Sequence, residues 1–579
     1  MSRDDAMGTV DRSERGVQAG PGAGGRGTGA DASAAPGRPD PDLGSDLGSD
    51  LGPGAGAGPG PGAGPGPGRV AGVRALAMAE GWRLLRHPVF LGSLLLCVAL
   101  WIHATVVSGS TGFPVLHDED RHLQNQLLLP AAGTFLAVHL AMVRTARDGT
   151  EDWFLSLVLL PWQRAAALLL AVLPAVLLTA ALAAGRMLWL AAQPGAAGSP
   201  SPAEVATGPV VVLVAGVLAV LLGLVSRSVA AGPIALALLA ISTVIGALFP
   251  FESWRWWGLV AAEDELHAAL PAGLLHRPAG QHLLYLLLLG TACAATAVLR
   301  AGLKHPLVRV ILAAGLAGAV LIGAWHTRPA PDSLATARQQ ALEAPAAQQQ
   351  CREAEVLTSC FFPEFADRAP QWEQVAEGIL RWVPRQAREP HYTVRQHITP
   401  VSESSLGQST APLEAWAADD RRAETPGAIA VGTAWGEGSD LAHDTVSGLA
   451  TAFAARVVTG EPARPGPQDA LLCGGRSVLT LWLAAQATEH TAAAMRSRAE
   501  RSFGGLIGFG NVTTVESERT DLDLALRLLN LPAEEVGARA KTHWTKLTSP
   551  TTTSTEATRL LGLDIPEQPY PADSLCGSR

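Results

Sequence analysis

The chain has little charge and almost no lysine for its length. Only 16% of its 579 residues are charged, against 48% that are hydrophobic, a balance too apolar for a typical soluble enzyme. Lysine occurs only at Lys304, Lys541 and Lys546, so arginine carries nearly all of the positive charge. The formal net charge of -9 comes without a basic stripe interleaved with aromatic residues, which argues against a nucleic-acid-binding protein.

Several catalytic motifs are also missing. The sequence contains no GxxxxGK[ST] loop to cradle ATP phosphates, and no HExxH, GxSxG or CxxC motif, so zinc-protease and serine-hydrolase signals fail. Two imidazole and carboxylate pairs remain, His443 with Asp444 and Glu489 with His490. Adjacent residues on a helix point about 100° apart and do not form a joint site. We therefore expect no enzyme activity, no cofactor and no metal in this chain.

The apolar residues that are present cluster into long segments. A bilayer core of about 30 Å requires about 20 helical residues, and seven segments satisfy this length. They lie near residues 88–108, 127–146, 165–191, 209–227, 229–250, 281–300 and 306–325. We expect Pro174 and Pro233 to kink their helices, which membrane helices tolerate.

These segments divide the chain into three parts. Residues 1–68 are rich in Gly, Pro, Ala and Asp and are expected to form a disordered cytoplasmic tail. Residues 69–326 form the predicted membrane all-α domain. Residues 327–579 are long enough to bury a core and are predicted to be a soluble, helix-rich or α+β domain. Helical patterns occupy 333–350, 366–384, 441–458, 468–500, 519–530 and 533–546, and strand patterns His391–Ile398 and Ala428–Trp435.

Residues 70–87 alternate apolar and basic positions at helical spacing. This pattern predicts an amphipathic helix on the membrane surface, with Trp82 at the interface and Arg83 and Arg86 facing lipid headgroups. The alternative is a plain cytoplasmic extension of the first span. An interfacial or re-entrant helix pair is also predicted in the loop 251–280, on its three tryptophans, with a plain outer loop as the alternative.

Arginines determine the predicted orientation, because basic residues near a span stay on the cytoplasmic side. With seven spans, the basic clusters before the first span and after the second, fourth and sixth all fall on one side. The N-terminus of this multi-pass cell-membrane protein is therefore expected to be cytoplasmic, and residues 327–579 extracytoplasmic. Among polar residues within spans, His139 is the candidate for a functional role, with a hydrogen bond to a neighbouring helix as the simpler explanation.

Cysteine usage agrees with this orientation. Cys97 and Cys293 lie within predicted spans, whereas Cys351, Cys360, Cys473 and Cys576 lie in the region assigned to the outside, where disulfides persist. Four cysteines allow three pairings, and the sequence does not choose among them.

The order of these segments resembles the permease subunit of bacterial type-2 ABC exporters. An amphipathic elbow helix ends in RLLRHPVF (Arg83–Phe90) and leads into the first span. The stretch Arg144–Arg164, which includes RDGTE, occupies the coupling-helix position between spans two and three, and a re-entrant loop follows span five. The resemblance covers about residues 70–300. In addition, CREAEVLTSCFFPEF (Cys351–Phe365) is similar to the start of the outer region in actinobacterial permease-like membrane proteins.

The resemblance implies a channel half that pairs with a second permease copy and with cytoplasmic ABC ATPase subunits, where ATP would be hydrolysed. It places five residues at the contact with the ATPase: Arg144, Arg147, Glu151, Trp153 and Arg164. The chain departs from the family in its seventh span and large outer domain, which leaves the transported substrate open. The alternative function is a membrane anchor that displays an extracytoplasmic binding or sensing domain.

Overall fold

The computed structural model describes most of the chain after residue 66. The described ranges are 67–106, 112–149, 159–248, 257–260, 269–398, 412–436, 444–461, 471–502, 504–510, 512–566, 570–571 and 574–577. The predictions made for residues 1–66 and for most of 251–268 lie outside these ranges. The described part is mostly helical, and its strands are confined to the C-terminal region.

Apolar helices make up the first half of the described chain. They are α1 (Pro67–Leu85), α2 (Pro88–Val106), α3 (Leu116–Gln126), α4 (Leu128–Arg147), α5 (Pro161–Ala171), α6 (Leu173–Ala191), α7 (Pro202–Val225), α8 (Ala231–Leu248), α9 (Ala279–Arg300) and α10 (Pro306–His326). Within the described residues, six helical segments are long and apolar enough to cross a membrane: α2, α3 with α4, α5 with α6, α7, α9 and α10. The predicted span 229–250 corresponds to α8, whose apolar segment is shorter.

Two local predictions need correction. The acidic stretch His117–His122 falls in the predicted loop between the spans 88–108 and 127–146, but it lies in α3. Pro233 does not kink a helix, because α8 begins at Ala231 and a proline in the first turn breaks no hydrogen bond. The kink expected near Pro174 is present, since Val172 separates α5 from α6.

Helix α1 packs on the bundle through small residues. Its buried positions are Ala77, Glu80, Gly81 and Leu84, one face at helical spacing. A Cβ on Gly81 would lie 3.2 Å from the carbonyl oxygen of Ala171, so glycine permits the close approach of α1 to the α5–α6 kink. Trp82, predicted at the interface, points away from the protein and is 56% exposed.

The bundle has two ends that differ in their side chains. The basic end is where α1 and α4 finish, and it carries Arg83, Arg144 and Arg147. The domain end is where α3 and the start of α7 meet through Arg121 and Glu204.

The C-terminal region has its own core and two sheets. The first sheet has the order β1 (Gln350–Glu353), β2 (Leu357–Phe361), β3 (Tyr392–His397), β4 (Ile429–Gly432), in which β2, β3 and β4 are parallel. The second has the order β5 (Leu471–Leu472), β7 (Val515–Glu518), β6 (Leu506–Phe509). The helices are α11 (Asp332–Glu343), α12 (Ala369–Leu380), α13 (Leu413–Arg422), α14 (Thr445–Thr459), α15 (Gly474–Ala485), α16 (Glu489–Arg501), α17 (Arg519–Leu528), α18 (Ala533–Thr542), α19 (Trp544–Leu547) and α20 (Ser554–Leu560).

Sequence patterns located most of these elements but merged some and missed others. The predicted helix 468–500 is two helices, because Thr488 caps the start of α16 with a hydrogen bond from the backbone N–H of Thr491. Both predicted strands are present as β3 and β4. The other strands and the helices α13 and α20 were missed.

The four cysteines of the C-terminal region form two disulfides. Cys351 and Cys360 are directly opposite one another on the antiparallel strands β1 and β2. Cys473, immediately before α15, is bonded to Cys576 near the C-terminus. The structure thus selects one of the three pairings, and both bonds support an oxidising location for this region.

Candidate functional site

A buried carboxylate organises the basic end. Glu80 of α1 has a side chain that is only 10% exposed, and its Oε1 accepts hydrogen bonds from Arg83 at 2.9 Å and from Arg144 of α4 at 3.0 Å. The second of these contacts ties α1 to α4, the helix that precedes the predicted coupling segment. Because both partners keep contact with solvent, we expect a modest stabilisation from these pairs.

A cavity of about 150 Å³ lies beside this carboxylate. Its polar lining consists of Glu80, Arg83, His87, Arg144 and Arg147, and α4 and α5 supply most of its apolar wall. Burial lowers the pKa of His87, and the Nδ1 of this imidazole accepts a hydrogen bond from the backbone N–H of Val89 at 3.3 Å. The arginines are therefore the charged donors of the cavity.

Two of the other four residues predicted for the coupling contact lie within the described part of the chain. Arg147 is exposed and pairs with Asp148 at 3.0 Å, and Arg164 lies half-buried in the first turn of α5. Glu151 and Trp153 lie outside the described residues. Immediately after α1, the guanidinium of Arg86 stacks over the ring of Trp82 at 4.4 Å, a cation–π contact at the exposed side of the helix.

Charges at the domain end are buried and interlocked. Arg121 of α3 lies 3.4 Å from Oε1 of Glu204 on α7, with side chains 10% and 3% exposed. The amide of Gln124 donates to the same carboxylate and to the Glu204 carbonyl. Arg277 reaches Asp118 at 3.1 Å. Removing one member of such a buried set lowers the stability of the fold, because its partner stays charged in a low-dielectric environment.

The C-terminal domain faces this end with the carboxyl edge of its parallel strands. The residues after β2 and β3, Phe362, Phe365 and Ile398, are buried in one apolar cluster with Ala197, Leu270 and Leu274 of the membrane half. In open α/β sheets this edge is where ligands usually bind. Here the loops at the domain end of the bundle cover it.

One fully buried arginine links the two halves. The guanidinium of Arg368 donates to the carbonyl of Thr433, after β4, and at 3.1 Å to the carbonyl of Phe113, in the loop before α3. Burial lowers the pKa of Arg368 to about 9. Phe113 itself adopts a left-handed φ of 60° and packs against Trp435. A non-glycine residue is held in that conformation only by surrounding structure, so the junction is a built contact.

The sequence had left His139 as a candidate within a span. Its Nε2 lies 3.1 Å from the carbonyl oxygen of Ser228, between α7 and α8. This contact matches the simpler explanation, a histidine hydrogen-bonded to a neighbouring element.

Asp444 and His490, which belong to two different predicted imidazole and carboxylate pairs, lie near each other in the C-terminal domain. Nε2 of His490 lies 3.9 Å from Oδ1 of Asp444, whereas His443 is outside the described residues. The hydroxyl of Ser447 donates to Asp444 at 2.6 Å and Asp444 also caps α14. Because Ser447 donates to the carboxylate and not to His490, this group lacks the nucleophile–base hydrogen bond of a catalytic triad.

A second buried carboxylate holds the C-terminal tail. Asp521 of α17 accepts hydrogen bonds from Ser554 at 2.5 Å and from Tyr570 at 3.0 Å. Burial raises the pKa of Asp521 to about 6, although these hydrogen bonds oppose the shift. The neighbouring Glu518 accepts from the Ser574 hydroxyl at 2.8 Å. Together with Cys576, these contacts fasten the end of the chain to the domain.

The residues that connect distant elements were not predicted from the sequence. Glu80, Glu204 and Arg368 carry the contacts described above, yet their partners lie far away in the sequence. One signal was available for Glu80 and Glu204: each is an isolated acid in an apolar stretch, and such residues are expensive to bury unless paired. Arg368 has no comparable signal, because it follows a mixed polar segment.

Comparison with protein-family models, with curated proteins and with solved structures finds no match for this chain.

Proposed function

We propose that this chain is the permease subunit of an ATP-driven, ABC-type exporter, powered by a separate cytoplasmic ATPase and paired with a second permease copy. The observation that carries the proposal is the contact between Glu80 and Arg144. It joins the surface helix α1 to the span that leads into the segment 150–158, so a push on that segment would be passed to the bundle and to α1 together. Such a contact suits a membrane subunit whose movement is driven by a separate ATPase subunit.

The direction of the chain supports a seventh crossing by α8. Helix α7 starts at the domain end with Glu204 and runs away from it, and α9 starts after Arg277, which contacts Asp118 at the domain end. The intervening chain must therefore return. With 18 residues, α8 is about 27 Å long at 1.5 Å per residue, close to the thickness of a bilayer core.

The proposed orientation puts the basic end in the cytoplasm and the C-terminal domain outside. The arginines of α1 and α4 and the two disulfides favour it. Alkaline phosphatase fused after residue 330 should be active, and the same enzyme fused after residue 149 should be inactive. The reverse pattern would reject this orientation.

The coupling segment provides the direct test of export. The full chain, tagged and expressed in its own host, is cross-linked and purified, and its ATPase partner is identified by a P-loop sequence. Trp153→Ala and Glu151→Arg should each reduce recovery of that ATPase by about thirtyfold, a loss typical of an interface anchor. Trp82→Ala, an exposed tryptophan at the same membrane face, is the matched control and should leave recovery unchanged. Wild-type recovery with both coupling variants would reject the proposal.

A second candidate function, a membrane-anchored extracytoplasmic sensor, is favoured by the junction of Arg368 and Phe113. A signal received by the outer domain could reach the bundle through this contact. The sensor hypothesis predicts that Trp153→Ala is silent while Arg368→Gln uncouples the two halves. The exporter hypothesis predicts a loss with Trp153→Ala.

A further inference from the structure

We propose that the cavity at the basic end binds the headgroup phosphate of an anionic membrane lipid, with Arg83 and Arg144 as its main ligands. This inference requires only that the chain lies in a bilayer, and it holds whether the protein exports a substrate or serves as an anchor.

Glu80 presets the two guanidiniums. Arg83 and Arg144 each place one nitrogen within 3.0 Å of the same oxygen, Oε1 of Glu80. An arginine has five N–H donors, so each side chain keeps donors for a further acceptor. Guanidinium groups held close together in this way match the geometry of phosphate oxygens.

The charge around the cavity favours an anion. The guanidiniums of Arg83, Arg144 and Arg147 face the carboxylates of Glu80 and Asp148, which leaves an excess of positive charge. Arg83 and Arg147 are 63% and 61% exposed at their side chains, so a ligand can reach them from the surface. Glu80 is nearly buried behind them.

The rest of the cavity fits the part of a lipid next to its phosphate. Leu84, Val138, Leu140 and Leu168 supply apolar contacts beside the arginines. A volume of about 150 Å³ is comparable to cavities that hold a benzene-sized molecule. That space accommodates a phosphate with its glycerol carbons, while the acyl chains remain in the bilayer. The combination of basic rim and apolar wall is what distinguishes a lipid phosphate from a free one.

Native mass spectrometry of the full detergent-solubilised chain can test the proposal. It would be titrated with dioleoyl phosphatidylglycerol, with dioleoyl phosphatidylcholine and with inorganic phosphate. The wild-type protein should retain phosphatidylglycerol best. Arg83→Gln and Arg144→Gln should each weaken it about fivefold, the effect of one basic residue near a lipid surface.

A matched variant distinguishes lipid binding in the cavity from attraction of the lipid to positive charge anywhere on the surface. Arg74 lies exposed on the same helix, outside the cavity lining, and Arg74→Gln should leave retention unchanged. An equal loss with Arg74→Gln would show diffuse surface charge and overturn the proposal. Equal binding of inorganic phosphate, with the same dependence on Arg83 and Arg144, would overturn the lipid assignment.

Glu80→Gln provides a test in which lipid binding is not expected to fall, because both arginines that would bind the phosphate remain. The glutamine keeps the size of the side chain and an oxygen that can accept from both guanidiniums, and it removes a negative charge beside the anion, so retention of phosphatidylglycerol should be equal or higher. Loss of lipid binding by Glu80→Gln, in protein that stays monodisperse and folded, would overturn the proposal.

Discussion

The two ends of the bundle use the same residue type in opposite ways. At the domain end, Arg121 and Arg368 are almost completely buried and each contacts another part of the chain. At the basic end, Arg83 and Arg147 remain mostly exposed. Buried charges are costly to disturb and little screened by salt, whereas exposed pairs contribute little and yield readily. The domain end is therefore built to hold one arrangement, whereas the exposed ion pairs of the basic end can rearrange at little cost.

The largest effect is expected at the disulfide that closes the longer loop. Cys473 and Cys576 are 103 residues apart in sequence, whereas Cys351 and Cys360 are 9 apart. Chain-entropy arguments predict that replacing both members by serine costs about 4 to 5 kcal/mol for the long loop and about 2 to 3 kcal/mol for the short one. Denaturant unfolding followed by tryptophan fluorescence would measure the difference. Equal losses would mean that loop length does not govern these bonds.

A smaller but still large effect is expected from Glu204→Gln at the domain end. The substitution keeps a similar shape but removes the carboxylate that neutralises Arg121. We expect a loss of about 3 kcal/mol in unfolding free energy, because the buried Arg121 loses the carboxylate that lies 3.4 Å away. Unfolding in mixed micelles would measure it. A loss below 1 kcal/mol would place this network among ordinary surface ion pairs.

The third prediction concerns pH. The pKa of Asp521 is raised to about 6 by burial, above its ordinary value near 4 in an unfolded chain. Between pH about 4 and 6 the folded domain holds a proton that the unfolded chain has released, so stability falls as pH rises through this window. The cost, about 2 to 3 kcal/mol, is fully present above pH 6.

Asp521→Asn should therefore flatten the dependence of unfolding free energy on pH between 4 and 7. Asp420, whose pKa burial also raises to about 6, should retain part of the slope. The control is Asp523→Asn on the same helix, where the side chain is 48% exposed. A slope that is unchanged by Asp521→Asn, or equally reduced by the control, would contradict the role given to burial.

The smallest effect is expected at the basic end. Glu80→Gln should cost about 1 kcal/mol or less, since both arginine partners are partly solvated. Raising the salt concentration should reduce the difference between variant and wild type, because exposed charges are screened over about 10 Å at 0.1 M. A salt-independent loss of several kcal/mol would show that the two ends do not differ in the way described.

Hydropathy predicted the long helices because it is a local property of 20 or so residues. The spans in α2, α4, α7, α9 and α10 lie close to their predicted positions. Short strands carry no such signal: β2 is buried at four of its five positions, so it lacks the alternation that identifies a half-exposed strand. The domain boundary predicted at residue 326 rested on a change of composition. The contact between Arg368 and Phe113 across that boundary had no signal in the sequence. Pairing over 255 residues depends on tertiary structure alone.

The covered carboxyl edge of the parallel sheet has a consequence for the order in which this protein is made. Phe362, Phe365 and Ile398 share a buried cluster with Ala197, Leu270 and Leu274, which are synthesised earlier. Chains generally fold from the N-terminal side during synthesis, so the platform is in place before the domain that rests on it. A fragment that begins after α10 would lose the bundle's share of this cluster, and the apolar side chains left exposed would favour aggregation. Polar substitutions at these positions should make the isolated C-terminal domain more soluble.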